Sequence, residues 1–201
     1  MQETIAAVIL AGGQGRRLGG VDKALLPLAG KPLLAHVLAR LRPQATRIIV
    51  SANGDADRFR EFSLSVIADA APDLGPLAGI AAGARACKTR WPDVTHILTV
   101  PVDTPLLPLD LAARLAEQAT ALPAQAAVAQ ADGRMHWTIA LWPVDSAVAM
   151  HEHVLHGGMR RLQDGLETVG WHAVSFTDAA AFTNINNLEN YKSISRLLID
   201  N

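Results

Sequence analysis

The chain has 201 residues, of which 50% are hydrophobic and 18% charged, and its formal net charge is -1; that size and polarity fit one compact domain. Near-neutrality excludes the broad basic surface of a nucleic-acid or membrane-surface binder, so any anion must be met by a local group of cations. A single cysteine, Cys87, excludes an intrachain disulfide and a multi-cysteine zinc site. Apolar runs such as Ile5 to Ala11 fall far short of the roughly 18 residues that span a bilayer, and no basic leader segment is present, so the expectation is a cytoplasmic protein.

Ile5 to Leu10 is a continuous apolar run with β-branched residues, which predicts a strand buried on both faces, as in the middle of a parallel sheet. A glycine-rich loop follows it. From Pro32 to Leu41 the apolar residues Leu33, Leu34, Val37, Leu38 and Leu41 recur at helical spacing, with Pro32 suited to the first turn and Pro43 stopping the helix. Arg47 to Ser51 and Leu64 to Ala68 read as strands, joined by the polar stretch Asp55 to Phe62, which is read as helical. Leu77 to Cys87 predicts a helix of small residues packed closely on the sheet, and Thr95 to Val100 another buried strand. Beyond Pro101 the pattern predicts a helix over Leu109 to Ala119 and strands over Ala126 to Gln130 and Trp137 to Trp142, around the turn Ala131 to Arg134. A helix over Ser146 to Leu155, a strand over Trp171 to Phe176 and a helix over Leu188 to Ile199, with Asn187 as N-cap, complete the reading. Strand and helix alternate, aromatic content is 4%, and alanine is abundant. The expected fold is α/β: a Rossmann-like, doubly wound, mostly parallel sheet with helices on both faces. It is expected as one domain over residues 1–201, with a nucleotide half over about 1–107 and a second half over about 108–201.

The loop from Leu10 to Pro27 carries five glycines, Gly12, Gly13, Gly15, Gly19 and Gly20, with Arg16, Arg17 and Lys23 among or just after them. Glycines let successive backbone N–H groups converge on one concavity, and the cations neutralise phosphate oxygens. This is phosphate-binding chemistry, but of neither common kind. A Walker A loop would place Lys and Ser or Thr after Gly20, where Val21 and Asp22 stand. The dinucleotide fingerprint would need glycine at Leu18 and an acidic residue near Ser51.

Asp103 follows the strand that ends near Val100, with Pro101 and Pro105 fixing the loop around it. Ligands of open α/β sheets bind at that edge, and Mg²⁺ is commonly held by one or two carboxylates together with substrate phosphates, so Asp103 is the candidate metal ligand. In isolation the same residue would serve as well to cap a helix or to stabilise the Thr-Pro turn. Asp69 lies at the same edge, able to accept from a sugar hydroxyl or a base, with an Asx-turn as its alternative. Gly75 to Gly79 places two glycines at a helix start, where backbone N–H groups can approach a ligand or the helix can approach the sheet. Asn184 and Asn186 alternate, so an extended segment would present both amides on one face.

Leu10-Ala11-Gly12-Gly13-x-Gly15-x-Arg17-Leu18-Gly19 with Asp22-Lys23-Ala-Leu resembles the signature loop of the nucleotidyltransferases that include the sugar-nucleotide pyrophosphorylases, and most closely that of the molybdenum cofactor guanylyltransferases. Ala68-Asp69, Gly75 to Gly79, Pro101 to Pro105, Asp110 to Leu115, Thr138 to Leu141 and Phe182 to Asn186 resemble that family in the same order and cover nearly the whole chain. The resemblance implies transfer of GMP from GTP to the terminal phosphate of molybdenum-bound molybdopterin, with Mg²⁺ as cofactor and pyrophosphate released. It implies nucleotide contacts at Leu10, Ala11, Gly12, Gly13, Lys23, Asp69, Gly79 and Asp103, and molybdopterin contacts at Asn184 and Asn186. Ser51 stands where the family often has Asn, so either Ser51 or Asn53 would meet the base. Trp137 stands where the family often has Pro, and Asn187-Leu where it often has Thr-Pro. A molybdopterin cytidylyltransferase, a sugar-nucleotide pyrophosphorylase and a non-catalytic nucleotide-binding module are the alternatives. A monomer is expected, with a GTP-binding accessory protein and recipient molybdoenzymes as partners.

The attacking phosphate is already an oxyanion at neutral pH, so the chemistry needs no general base. It needs charge neutralisation and in-line positioning, and Arg16, Arg17, Lys23 and Asp103 are the catalytic candidates. Two features are set aside. His151-Glu-His153-Val-Leu155-His156 misses the H-E-x-x-H zinc spacing by one residue. Cys87 lies in an alanine-rich helical stretch and reads as a packed thiol.

Overall fold

β1 (Ile5–Leu10) is the central strand, and its alternate side chains enter two different cores: Ala6 and Val8 on one face of the sheet, Ala7 and Ile9 on the other. The structure, a computed structural model, describes residues 4–12, 14–15, 21–70, 74–119, 122, 125–156 and 161–199. Gly13, Arg16, Arg17, Gly19 and Gly20 of the glycine-rich loop lie outside the described residues.

Two short antiparallel ribbons follow β1: β2 (Gln14–Gly15) with β3 (Val21–Asp22), and β4 (Pro27–Leu28) with β5 (Lys31–Pro32). Then come α1 (Leu33–Leu41), β6 (Arg47–Ser51), β7 (Ser65–Ile67), α2 (Pro76–Arg90), β8 (His96–Pro101) and α3 (Leu111–Ala119). The last part of the chain adds β9 (Ala126–Ala131), β10 (Arg134–Pro143), α4 (Val144–Leu155), α5 (Leu162–Val169), β11 (Trp171–Phe176) and α6 (Leu188–Ile199). The main sheet has seven strands in the order β11-β9-β10-β8-β1-β6-β7. Every neighbouring pair is parallel except those made by β10, which runs antiparallel to both β8 and β9. The expected α/β architecture with a mostly parallel sheet is therefore the one observed.

Helices cover both faces. Leu34, Val37, Leu38 and Leu41 of α1 and Leu111 and Leu115 of α3 pack with Ile9, Val50, Leu98 and Val100. On the opposite face Ile80, Ala81 and Ala84 of α2, Met150 and Val154 of α4, and Leu166 of α5 pack with Val8, Ile49 and Ile97. Gly83 is what lets α2 lie so close: a Cβ there would meet Val8 Cγ1 at 2.6 Å. Trp142, a large polar-tipped ring buried in this core, is satisfied, its indole N–H donating to Thr99 Oγ1 at 3.0 Å.

Most predicted elements are present, and three differ. The stretch read as a helix over Asp55 to Phe62 is a 3-10 turn over Ala56–Phe62, capped by the Asp55 carboxylate and closed by Ser63 at φ 53°. Phe59 alone among its residues is buried, too little apolar surface to define a longer α-helical stripe. β10 begins at Arg134 rather than Trp137, because Asp132 and Gly133 both take positive φ, 48° and 68°, and make the two-residue hairpin turn that Asp-Gly favours. α5 has no counterpart in the sequence reading.

Since β6 lies on one side of β1 and β8 on the other, the loops leaving the carboxyl ends of these strands diverge there, and an open α/β sheet forms its ligand crevice at such a point. Among the described residues no helix is long and apolar enough to cross a membrane.

Candidate functional site

A cleft of about 280 Å³ lies at the carboxyl edge of the sheet. Leu10 and Gly12 come to it from the end of β1, Ser51 from β6, Asp69 from just beyond β7, and Pro101 and Asp103 from the end of β8. Gly75, Pro76 and Gly79 at the start of α2, Thr138 of β10 and Asn184 close it. Seven of the residues picked out from the sequence, Leu10, Gly12, Ser51, Asp69, Gly79, Asp103 and Asn184, thus share one cavity.

At one end stands Asp69. Ser51 Oγ donates to its Oδ1 at 2.8 Å and Asn53 Nδ2 to its Oδ2 at 2.7 Å, while its backbone N–H donates to Asn53 Oδ1 at 3.0 Å. The carboxylate is held from both sides by residues of the neighbouring strand end. Asn53 is committed to this clamp and does not line the cleft. Gly79 makes room for the arrangement, since a Cβ there would meet Ser51 Oγ at 2.8 Å and Asp69 Oδ1 at 3.2 Å. Gly75, at φ 57°, holds the turn that lets Pro76 start α2, so the amino end of that helix opens on the cleft.

At the other end stands Asp103. Lys23 Nζ donates to Asp103 Oδ2 and to Asn186 Oδ1, each at 2.6 Å, and the Lys23 and Asp103 side chains are only 14% and 16% exposed. Partial burial strengthens such a contact beyond that of an ordinary surface pair. Asp103 does not cap α3, which starts eight residues later, and its Oδ1 is buried without a hydrogen-bond partner among the described residues. Lys23 itself opens a short 3-10 turn, Lys23–Leu25, that Asp22 caps by accepting from Ala24 N–H at 3.0 Å.

Asn184 and Asn186 approach Asp103 from the C-terminal side. Thr104 Oγ1 donates to Asn184 Oδ1 at 3.0 Å, and the backbone N–H of Ile185 between the two asparagines donates to the Asp103 carbonyl at 2.9 Å. A small separate core anchors this segment: Ile185 and Ile194 pack with Leu28 and Leu33, and Tyr191 donates to the Pro27 carbonyl at 2.7 Å. The turn bearing Lys23 and the segment bearing both asparagines are thereby fastened together. Asn187 caps α6 as expected, accepting from Asn190 N–H at 2.8 Å.

Other residues fall differently. Ala11 is buried, and its N–H donates to the Ser51 carbonyl at 2.8 Å, so that N–H is already engaged. Arg16, Arg17 and Gly13 lie outside the described residues. Thr138 reaches the cleft from a stretch of β10 where the register against β9 shifts, an irregularity of the kind that re-aims side chains beside active sites. Trp137 is not among the cleft-lining residues and meets Trp171 edge-on, with ring centroids 5.0 Å apart. His153 and His156 each contact a backbone carbonyl of their own helix. Cys87 is fully buried, and burial pushes its thiol up to about 12, far from thiolate chemistry at neutral pH.

Sequence reasoning gave no role to Arg58. Its Nε donates to Asp22 Oδ2 at 2.6 Å and its Nη2 to the Asn53 carbonyl at 2.8 Å, and a third contact reaches the Asp55 carbonyl. Two of these acceptors are backbone atoms, and Asp22 is 36 residues away, so no local pattern announces the contact.

Residues 7–170 match the profile of the MobA-like NTP transferase domain family. A protein of Mesorhizobium japonicum named molybdenum cofactor guanylyltransferase is 41% identical over 98% of this chain and 98% of its own length. One of the same name from Acidiphilium cryptum is 44% identical over 90% of this chain and 89% of its own. Among solved structures, molybdopterin-guanine dinucleotide biosynthesis protein A of Archaeoglobus fulgidus superposes with a TM-score of 0.75 at 21% identity, covering 98% of this chain and all of that one. The 2-C-methyl-D-erythritol 4-phosphate cytidylyltransferase of Thermus thermophilus shares the fold, with a TM-score of 0.69 at 18% identity over 96% and 98% of the two chains.

Proposed function

The chain belongs to the MobA-like NTP transferase family, and on that footing we propose that it transfers GMP from GTP to the terminal phosphate of molybdenum-bound molybdopterin, releasing pyrophosphate. The observation that carries the reading is the Lys23 ammonium, held at 2.6 Å from both Asp103 and Asn186. It joins the sheet edge that would receive a nucleotide to the segment that would receive the second substrate. A cation at that junction suits a reaction in which two polyanions must be brought together.

Asp103 fits Mg²⁺. One of its oxygens takes Lys23, and the other is buried without a partner among the described residues, a cost that a hard cation would relieve. Among the described residues no group of three metal-ligating side chains converges, so substrate phosphates would complete the coordination. Bound there, Mg²⁺ supplies charge neutralisation across the phosphate oxygens.

The chain's own residues do the positioning. Asp69, fixed by Ser51 and Asn53, offers a rigid acceptor for the donor edge of guanine at the far end of the cleft. The amino end of α2 favours negative charge between the two ends. Lys23 neutralises phosphate oxygens as the bond from the α-phosphorus to the cofactor phosphate forms and the bond to the β-phosphate oxygen breaks. Asn184 and Asn186 present amides to the polar pterin, and Arg16 and Arg17 supply further cations. No proton has to be abstracted, and none of these residues is asked to act as a base.

Asp103→Asn tests the assignment. Pyrophosphate release from GTP in the presence of Mg²⁺ and molybdopterin is expected to fall by about a hundredfold or more, the scale seen when preorganised electrostatic stabilisation is removed. Full retention of turnover would overturn it.

A further inference from the structure

Two ends of the cleft, Lys23 with Asp103 and Asp69 with its clamp, stand on different loops, and one side chain outside the cleft joins them. Arg58, in the 3-10 turn between β6 and β7, donates to Asp22 on one side and to the Asn53 carbonyl on the other. Asp22 caps the turn that begins with Lys23, and Asn53 holds Asp69 through its side chain. The guanidinium is itself seated, with its carbon 4.4 Å from the centroid of the Phe59 ring, and the Phe59 side chain is fully buried. The Arg58 and Asp22 side chains are 22% and 26% exposed, shielded enough for a charge-assisted contact to keep two loops in register. A lysine would not reproduce this, because a single ammonium cannot serve three acceptors spread across two loops in one plane.

We propose that Arg58 is a positioning residue of the nucleotide site, setting the separation between the phosphate end at Lys23 and the base end at Asp69 so that one nucleoside triphosphate meets both. It touches neither substrate. The proposal rests on the nucleotidyl-transfer reading above and deepens it, since a group that fixes the span between two contacts acts on the molecule that bridges them and not on the second substrate. A purely structural Arg58 would behave otherwise: its loss would lower the folded fraction, and with it the apparent kcat, and would leave both KM values alone.

The test compares wild type, Arg58→Gln and Arg58→Lys by nucleotide titration calorimetry, by KM for each substrate and by thermal melting. The expected result is a loss of about tenfold in GTP affinity and a matching rise in KM for GTP, the scale of one charge-assisted hydrogen bond, with KM for the molybdopterin substrate unchanged. Arg58→Lys should recover little of the loss. Unchanged GTP affinity in both variants overturns the proposal, and so does a fall in melting temperature and kcat with both KM values intact. Should Arg58→Gln not fold, Arg58→Lys, which keeps the charge and the stem over Phe59, carries the comparison alone. If the wild type binds a different nucleoside triphosphate, the guanylyl reading fails while the same comparison on that nucleotide still decides the role of Arg58; binding of no nucleotide overturns both.

Discussion

Gly79 and Gly83 lie one turn apart on the same face of α2, yet the same substitution at each should fail in different ways. At Gly83 the added methyl would lie 2.6 Å and 2.8 Å from the two γ-carbons of Val8, a fully buried β-branched side chain in the central strand whose χ1 is restricted. Alanine is better than glycine inside a helix by about 1 kcal/mol, and forcing a methyl into a filled core costs about 1–3 kcal/mol. With contacts this short the upper end applies, leaving a net loss of about 2 kcal/mol and, at about 2–4 °C per kcal/mol for a chain of this length, a fall in melting temperature of about 4–8 °C. At Gly79 the obstacles are Ser51 Oγ at 2.8 Å, Leu10 Cδ2 at 3.0 Å and Asp69 Oδ1 at 3.2 Å, all of them side-chain ends, the Leu10 methyl needing to give by only a few tenths of an ångström. Ser51 can rotate away, so the helical gain offsets most of the crowding, but rotation breaks its bond to Asp69. Gly79→Ala should therefore melt close to wild type and bind GTP about tenfold more weakly, since a hydrogen bond to a charged group contributes about 1.5–3 kcal/mol. Gly83→Ala should bind GTP normally while it remains folded. Calorimetric melting and GTP titration on both variants check this. Equal losses of stability, with wild-type GTP affinity in Gly79→Ala, would refute the view that Gly79 serves the cleft and Gly83 the core.

Two further outcomes are expected. Burial holds His172 below the usual imidazole value of 6.5, with both ring nitrogens lacking hydrogen-bond partners among the described residues, and holds His136 below it in the same way, aided by Arg134. Their neutral forms are favoured by folding, so the stability they contribute is present above about pH 6.5 and is lost as the pH falls through their lowered folded values. Melting temperature should drop between pH 7 and pH 5, and His172→Val should flatten that slope; an unchanged slope would speak against it. Ile185→Ala should cost about 2–4 kcal/mol in denaturant unfolding, as for other buried large-to-small changes. It should also raise KM for the molybdopterin substrate more than KM for GTP, because Ile185 anchors the segment bearing Asn184 and Asn186. An equal effect on both KM values would count against the division of the cleft.

Where one stretch of chain settles its own structure, the sequence was readable. The apolar run of β1, the Asp-Gly hairpin turn, the Asn187 cap and the small-residue face of α2 each follow from local chemistry, and each is found. α5 was missed although Leu162, Leu166 and Val169 keep helical spacing, because Asp164 and Gly165 sit within it. Gly165 is needed there because a Cβ would strike the Met150 sulfur of α4, a reason that lies in another helix. The site divides in the same way. Asp69, Asp103 and Lys23 were legible because they stand at strand ends or in a cation-bearing loop. Asn53 was legible as a polar residue at a strand end, but its pairing with Asp69, 16 residues away, was not. Arg58 was illegible, since nothing near it in sequence distinguishes it from a solvated arginine.

The most direct test of guanylyl transfer is a single incubation of the protein with Mg²⁺, molybdenum-bound molybdopterin and GTP, CTP, ATP and UTP at equal concentration, followed by mass analysis of the products. The expected product is the guanine dinucleotide of the cofactor, formed in step with pyrophosphate and lost in Asp103→Asn. A cytosine dinucleotide, a nucleotide joined to a sugar phosphate on supplying one, or nucleotide binding without pyrophosphate release would contradict it.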